Sequence, residues 1–148
     1  MRPMLHFLRP FSFLLMLLSL SACAAQPLEV ELKGEVYTVD LALTAAEQRR
    51  GLMFVRSMPA DHGMLFVFPR EAPRSFWMKN TRIPLDILYF DAELQLVSVA
   101  RARPCVAAPC PAYPSKGPAR YVLELNAGQA EKLNLAPGDL LQLRFDLN

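Results

Sequence analysis

The sequence is short of the groups that most enzyme chemistry needs. It holds two histidines, three cysteines and one tryptophan in 148 residues. No G-x-S-x-G elbow is present, so the serine-hydrolase arrangement has no local signature. No glycine-rich phosphate loop and no dinucleotide fingerprint occur, which removes the common nucleotide-binding motifs. There is no C-x-x-C pair, and beyond the leader no M-x-M or M-x-x-M cluster, so neither the thioredoxin-like redox pattern nor a dense thioether site can be read. No apolar run reaches the about 20 residues that a membrane-spanning helix requires. Net charge is also missing. Arg2 and Arg9 account for the formal +2, and the other 14 basic residues equal the 14 acidic ones. A balanced chain of this kind has no long-range grip on nucleic acid or on anionic lipid.

What is present begins with an address. Arg2, His6 and Arg9 precede the apolar stretch FSFLLMLLSLSA (11–22), which is the length of a signal-peptide core. Leu20-Ser21-Ala22-Cys23 resembles the bacterial lipobox. That resemblance implies cleavage before Cys23 and lipidation of its thiol and new amine. Ala24 after the cysteine resembles an outer-membrane sorting signal. The expected organisation is a signal peptide over 1–22, a lipidated Cys23 and tether over 23–28, and a single β domain over 29–148. The expected place is the cell envelope, on the periplasmic face of the outer membrane. The membrane is then a partner through the acyl chains, each buried methylene contributing about 0.8 kcal/mol.

Patterning predicts mainly β structure. LEVEL (28–32) and VYTVDLAL (36–43) alternate apolar and polar residues around Lys33-Gly34, as a hairpin does. Thr44-Ala45-Ala46-Glu47 fits a capping box, and Gly51 fits the end of the short helix that follows. MLFVF (64–68), closed by Pro69, reads as a buried strand, with further strands at SFWM (75–78), PLDILYF (84–90), LQLVSVA (94–100), YVLEL (121–125) and LLQLRF (140–145). AGQAEKLNL suggests a helical turn or two. The proline-rich stretch 104–118 reads as a surface loop. Many short strands with one or two short helices indicate a small, antiparallel, barrel-like domain.

Two cysteines remain beyond the leader, Cys105 and Cys110. Outside the cytoplasm a local pair reads as a disulfide that staples the proline-rich loop. Two thiols are too few ligands for a closed metal site.

The blocks RRGLMFVRSMPADHGMLFVFP (49–69), FWMKNTRIPLDILYFD (76–91), PAYPSKGPARYVLELNAG (111–128) and LAPGD (135–139) together resemble the bacterial and archaeal Domain of Unknown Function 192 family. The resemblance covers nearly all of the chain beyond the leader, in order. It implies a compact, mostly β fold, many of whose members are secreted or lipid-anchored, and no established activity. It supplies no catalytic residues and no cofactor.

The densest stretch is SFWMKNTRIPLDILYF (75–90), expected as a buried strand pair joined by a polar turn. Trp77, Lys79, Asn80, Thr81 and Asp86 are the candidate ligand-binding residues. Lys79-Asn80-Thr81 offers three donors beside Trp77, and such a set suits a carboxylate, a sugar or a peptide end. Asn and Thr also bond their own backbone in turns. Asp86 sits inside an apolar strand, so its carboxylate needs partners or a raised pKa. Either it anchors the Lys79–Thr81 loop or it serves as a general acid or base with Lys79 or His62. A third reading places Cu(I) among Met53, Met58, Met64, Met78 and His62, against the alternative that these methionines fill core. The balance of these readings is a lipid-anchored, non-enzymatic module with no metal and no cofactor. It binds a small ligand or an envelope protein through Trp77–Arg82 and the stapled loop, and no nucleic acid.

Overall fold

The structure, a computed structural model, describes residues 26–147. The leader and Cys23 lie outside the described residues. The elements run β1 (Glu29–Leu32), β2 (Glu35–Ala42), α1 (Ala45–Arg50), β3 (His62–Trp77), β4 (Leu85–Phe90), β5 (Leu96–Ala102), β6 (Ala112–Asn126), α2 (Gln129–Lys132) and β7 (Leu141–Leu143).

Local chemistry accounts for the first third. Lys33 and Gly34 both take positive φ, 52° and 84°, the two-residue turn that matches strand twist. Leu32 therefore pairs with Glu35, and Val30 and Leu32 point to one face. The capping box at α1 is complete: the Thr44 hydroxyl accepts from Glu47 N, and the Glu47 carboxylate accepts from Thr44 N. The Gln48 amide then donates to the carbonyls of Ala42 and Val67, pinning α1 across β2 and β3. Gly51 ends the helix at φ 45°, ψ −136°, a glycine-favoured region other than the left-handed helical one expected.

The seven strands form one sheet in the order β5-β4-β6-β3-β2-β1-β7. Every pairing is antiparallel except β2 with β3. The sheet curls until its outer strands approach. Leu96 N donates to Asp139 O at 2.8 Å and Leu141 N donates to Leu94 O at 2.9 Å. The result is a half-barrel, mainly β with two short helices, as the patterning predicts. Its two faces carry separate cores. One gathers Val30, Leu32, Leu65, Leu88, Phe90, Leu123 and Leu125. The other gathers Leu52, Phe66, Met78, Leu85, Ile87, Tyr89 and Val122. β4 and the Tyr121–Leu125 part of β6 lie between the two cores and are buried on both faces.

Two expectations are corrected. β3 does not stop at Pro69 but continues through Pro69 and Pro73 to Trp77, and residues 112–118 are strand rather than loop. Beyond Val67 these two strands pair only with each other, with register shifts between Val67 and Ala72 and between Pro73 and Ser75. A proline lacks the ladder N–H, and an open edge or a bulge does not need it. The ribbon bends back on the sheet, so that Phe76 packs edge-on against Phe66 of its own strand at 4.9 Å and against Tyr89 at 6.0 Å. The second correction concerns residues 75–90. Ser75–Trp77 and Leu85–Phe90 do not pair with one another. They pair with opposite ends of β6, at Ala112–Pro114 and at Tyr121–Asn126.

Candidate functional site

The bend of the β3–β6 ribbon places Trp77 and the loop after it against the segment that follows α1. Met78 is buried, and its carbonyl accepts from Thr81 N at 3.1 Å and Cys105 N at 3.4 Å. Asn80 takes φ 58°, and its carbonyl accepts from Phe54 N at 2.8 Å. Phe54 itself stands at φ 68°, a strained conformation for a bulky side chain. This backbone scaffold leaves side chains free. Trp77 is 53% exposed, Phe54 55% and Val106 fully so. Lys79 and Asn80 are exposed between them, and the Lys79 ammonium lies 5.3 Å from the Trp77 ring centroid, a cation–π contact. Cys105 and Cys110 are joined as expected, with Cα atoms 5.6 Å apart. Closing so short a loop contributes about 2 kcal/mol.

Trp77 separates two concavities. On one side a space of about 420 Å³ lies between Lys79, Asn80 and the stapled loop Cys105–Cys110. On the other, about 450 Å³ lies between Gln48, Arg49, Phe68, Phe76 and Trp77. A small inner cavity of about 30 Å³ adjoins the second, sharing Gln48, Arg49, Phe76 and Trp77 and reaching Gly51, Phe66, Thr81 and Glu124. A third surface hollow, of about 370 Å³, runs from Phe54 past Asn80 and Arg82 to Val106.

Glu124 lines the inner cavity, and the sequence pattern did not single it out. It lies in β6 between Met64 and Ile87 on the flanking strands and is 4% exposed. No hydrogen bond or ion pair among the described residues reaches its carboxyl. Burial pushes that carboxyl up to about 8 from an ordinary 4.5, because desolvation disfavours the charged form. Tyr89, beside it, is raised as well, by burial first and by Glu124 second. The signal was the one that exposed Asp86, a carboxylate inside an apolar run.

Comparison with known proteins now bears on the same residues. The DUF192 family model, described as an uncharacterised ACR, matches residues 28–143. The chain belongs to the DUF192 family. A UPF0127 protein of Thermococcus sibiricus is 30% identical over 114 residues, covering 72% of this chain and 68% of that protein. One from Thermococcus gammatolerans is 32% identical, covering 75% and 71%. The crystal structure of a Novosphingobium aromaticivorans protein of unknown function has a TM-score of 0.70 and 36% identity, over 78% of this chain and 83% of that one. That of a Sinorhizobium meliloti protein proposed as a transcription regulator has a TM-score of 0.71 and 38% identity, over 80% and 94%. The family is conserved, and its function is unknown.

In this DUF192 fold the expected site residues divide. Trp77, Lys79, Asn80 and Thr81 converge, and Thr81 is buried against the inner cavity. Asp86 does not join them. It is fully buried, and its Oδ2 accepts from Gly128 N at 2.9 Å and Ala130 N at 2.8 Å. Its bonded oxygen holds the start of α2 and does not reach the Lys79–Thr81 loop. Its Oδ1 has no partner among the described residues. His62 stands at the start of β3, with Nε2 3.2 Å from Asp40 Oδ2. Met58, Met64 and Met78 pack in the second core, while Met53 Sδ accepts from Asn80 Nδ2 at 3.9 Å. Among the described residues no three His, Cys, Asp or Glu side chains gather as a metal site.

Proposed function

We propose that this DUF192 protein is a lipid-anchored envelope module that binds a small ligand at the Trp77 face and performs no chemistry on it. The observation that carries this reading is the exposed Trp77 ring standing between two concavities, with the exposed donors Lys79 and Asn80 on its one side. Exposed large aromatics beside exposed polar groups mark recognition surfaces. The strained Phe54 and the disulfide add to it, since both stiffen the walls and lower the ordering cost of binding. Binding is favoured over catalysis because the buried carboxyl near the site, Glu124, has no base or nucleophile paired with it among the described residues. A nucleic-acid partner is not proposed, because the equal basic and acidic counts outside the leader give phosphates no net attraction. The anchor is Cys23, and the place is the periplasmic face of the outer membrane.

A thermal-shift screen of small ligands on the purified protein tests the binding reading. At least one ligand raises the melting temperature of the wild type and does so less with Lys79→Ala. A screen in which every shift is identical in the two proteins removes it. The anchor has a separate check. Mass spectrometry of the membrane fraction finds Cys23 at the amino terminus carrying acyl chains, and Cys23→Ser leaves the precursor uncut or the protein released. An intact leader on a soluble protein rules the anchor out.

A further inference from the structure

The inner cavity on the α1 side of Trp77 holds polar groups that the fold leaves without partners. Residues Glu124 and Thr81 are 4% and 7% exposed, neither side chain has a hydrogen bond among the described residues, and the little surface that their oxygens keep opens on this cavity. Buried polar groups in native proteins are nearly always bonded. A pair whose only open side is a cavity is placed to bond whatever polar group enters it, water or ligand. The cavity, about 30 Å³, exceeds the ~15 Å³ that one water needs and is on the scale of a carboxylate group. It is kept open by backbone chemistry. At Gly51, a Cβ would sit 3.2 Å from Phe66 Cζ and 3.9 Å from Glu124 Oε2, at a φ of 45°.

Charge selects the occupant. Glu124 is the only acid among the described residues that line these four concavities, three of which include Trp77. Arg49, Arg50, Lys79 and Arg82 line the same spaces, are exposed, and enter no ion pair among the described residues. In a chain of balanced charge this is a local concentration of cations. A cationic ligand would be repelled there, and a neutral one would leave the arginines unused.

We propose that the concavity between α1 and Trp77 is a binding site for an organic anion. The ligand's carboxylate seats in the inner cavity against the Glu124 carboxyl and the Thr81 hydroxyl, and its ring or acyl body lies on Trp77 and Phe76 beside Arg49. The inference deepens the proposed function and rests on its reading of the Trp77 face. Glu124 is held neutral at pH 7 and donates its O–H to the anion, so that two carboxyl groups share one proton. Besides Glu124, the charged groups lining the cavity are Arg49 and Arg50 from α1; Tyr89 from β4 feels the Glu124 charge, Lys79 and Arg82 from the loop after β3 line the neighbouring concavities, and β3 presents Phe66 and Phe76. When Glu124 ionises, the anion faces a negative charge in a desolvated cavity and leaves.

Trp77 is the only tryptophan in the chain, so indole fluorescence of the full protein in detergent reports on the two concavities that it separates, and the Glu124 and Arg49 variants assign a response to the α1 side. The probes are benzoate, benzamide and benzamidine. Benzoate is expected to change the fluorescence saturably at pH ~6 and to bind about tenfold more weakly at pH ~9. Glu124→Gln keeps the binding and flattens its pH dependence, because the amide donates at any pH. Arg49→Gln with Arg50→Gln weakens benzoate and leaves benzamide unchanged. Benzamidine binding as tightly as benzoate, benzamide matching it at both pH values, or the absence of a saturable benzoate response overturns the anion site. If benzoate is silent while a Lys79-dependent ligand emerges from the thermal screen, the anion site falls and the binding function stands. If both fail, the Trp77 face is not a binding surface.

Discussion

Replacing Glu124 with glutamine stabilises the protein by about 4 kcal/mol at pH 8–9 and leaves its stability unchanged near pH 4. The sign follows from the proton count. Unfolded, Glu124 titrates at its ordinary 4.5; folded, it titrates at about 8. Between those values the folded protein holds one proton more than the unfolded chain. Stability therefore falls as pH rises, by about 1.4 kcal/mol per pH unit, and levels off above the folded value. Glutamine has nearly the same shape and no proton to lose, so the variant escapes this loss. The contribution is not screened by solvent, since Glu124 is 4% exposed. Urea unfolding of both proteins at a series of pH values measures it. Two stability curves that run parallel from acid to pH 9 would mean that Glu124 is ionised at neutral pH, and the donor role in the inner cavity would go with it.

Asp86→Ala lowers stability by about 3 kcal/mol, with a fall in melting temperature of about 10 °C. Asp86 Oδ2 accepts from Gly128 N and Ala130 N, and each hydrogen bond to a charged group is worth about 1.5–3 kcal/mol. A helix of four residues has no side-chain cap of its own. Its free N–H groups are met instead by a carboxylate from β4, 42 and 44 residues earlier in the chain. Ala130 is buried, so the alanine variant strands its N–H without water. Asp86→Asn retains an acceptor oxygen but not the charge and falls between the two. Thermal melts give the size of the effect, and hydrogen exchange locates it at the Gly128 and Ala130 amides. Benzoate binding at the Trp77 face stays intact in Asp86→Asn. A variant of Asp86 that keeps wild-type stability but loses ligand response would reverse the assignment and return Asp86 to the site.

Asp86 and Glu124 show how far a sequence reading reaches. Both are carboxylates inside apolar strands, and the pattern marks both as buried. The pattern does not say which finds donors. Asp86 meets the start of α2, and Glu124 meets a cavity, because β4 and β6 present them to different surroundings. The prolines mislead in the same manner. Pro69 and Pro73 end a strand by local rules, yet the β3–β6 ribbon runs on past them because both of its edges are open there. That continuation carries Trp77 onto the segment after α1, and no local rule places those two together.

What the amino-acid sequence determined by itself is local: the β1–β2 hairpin, the capping box at Thr44, the Cys105–Cys110 staple and the alternation that makes the domain mainly β. These depend on residues a few positions apart, whose bonding and side-chain direction are set by backbone geometry. The curled sheet decided the rest. It chose α2 as the partner of Asp86, left Glu124 facing a cavity, and brought residues 48–54, 75–82 and 104–110 around one tryptophan. Strand register and sheet curvature govern those contacts, and both are settled only when two faces of apolar side chains pack at once.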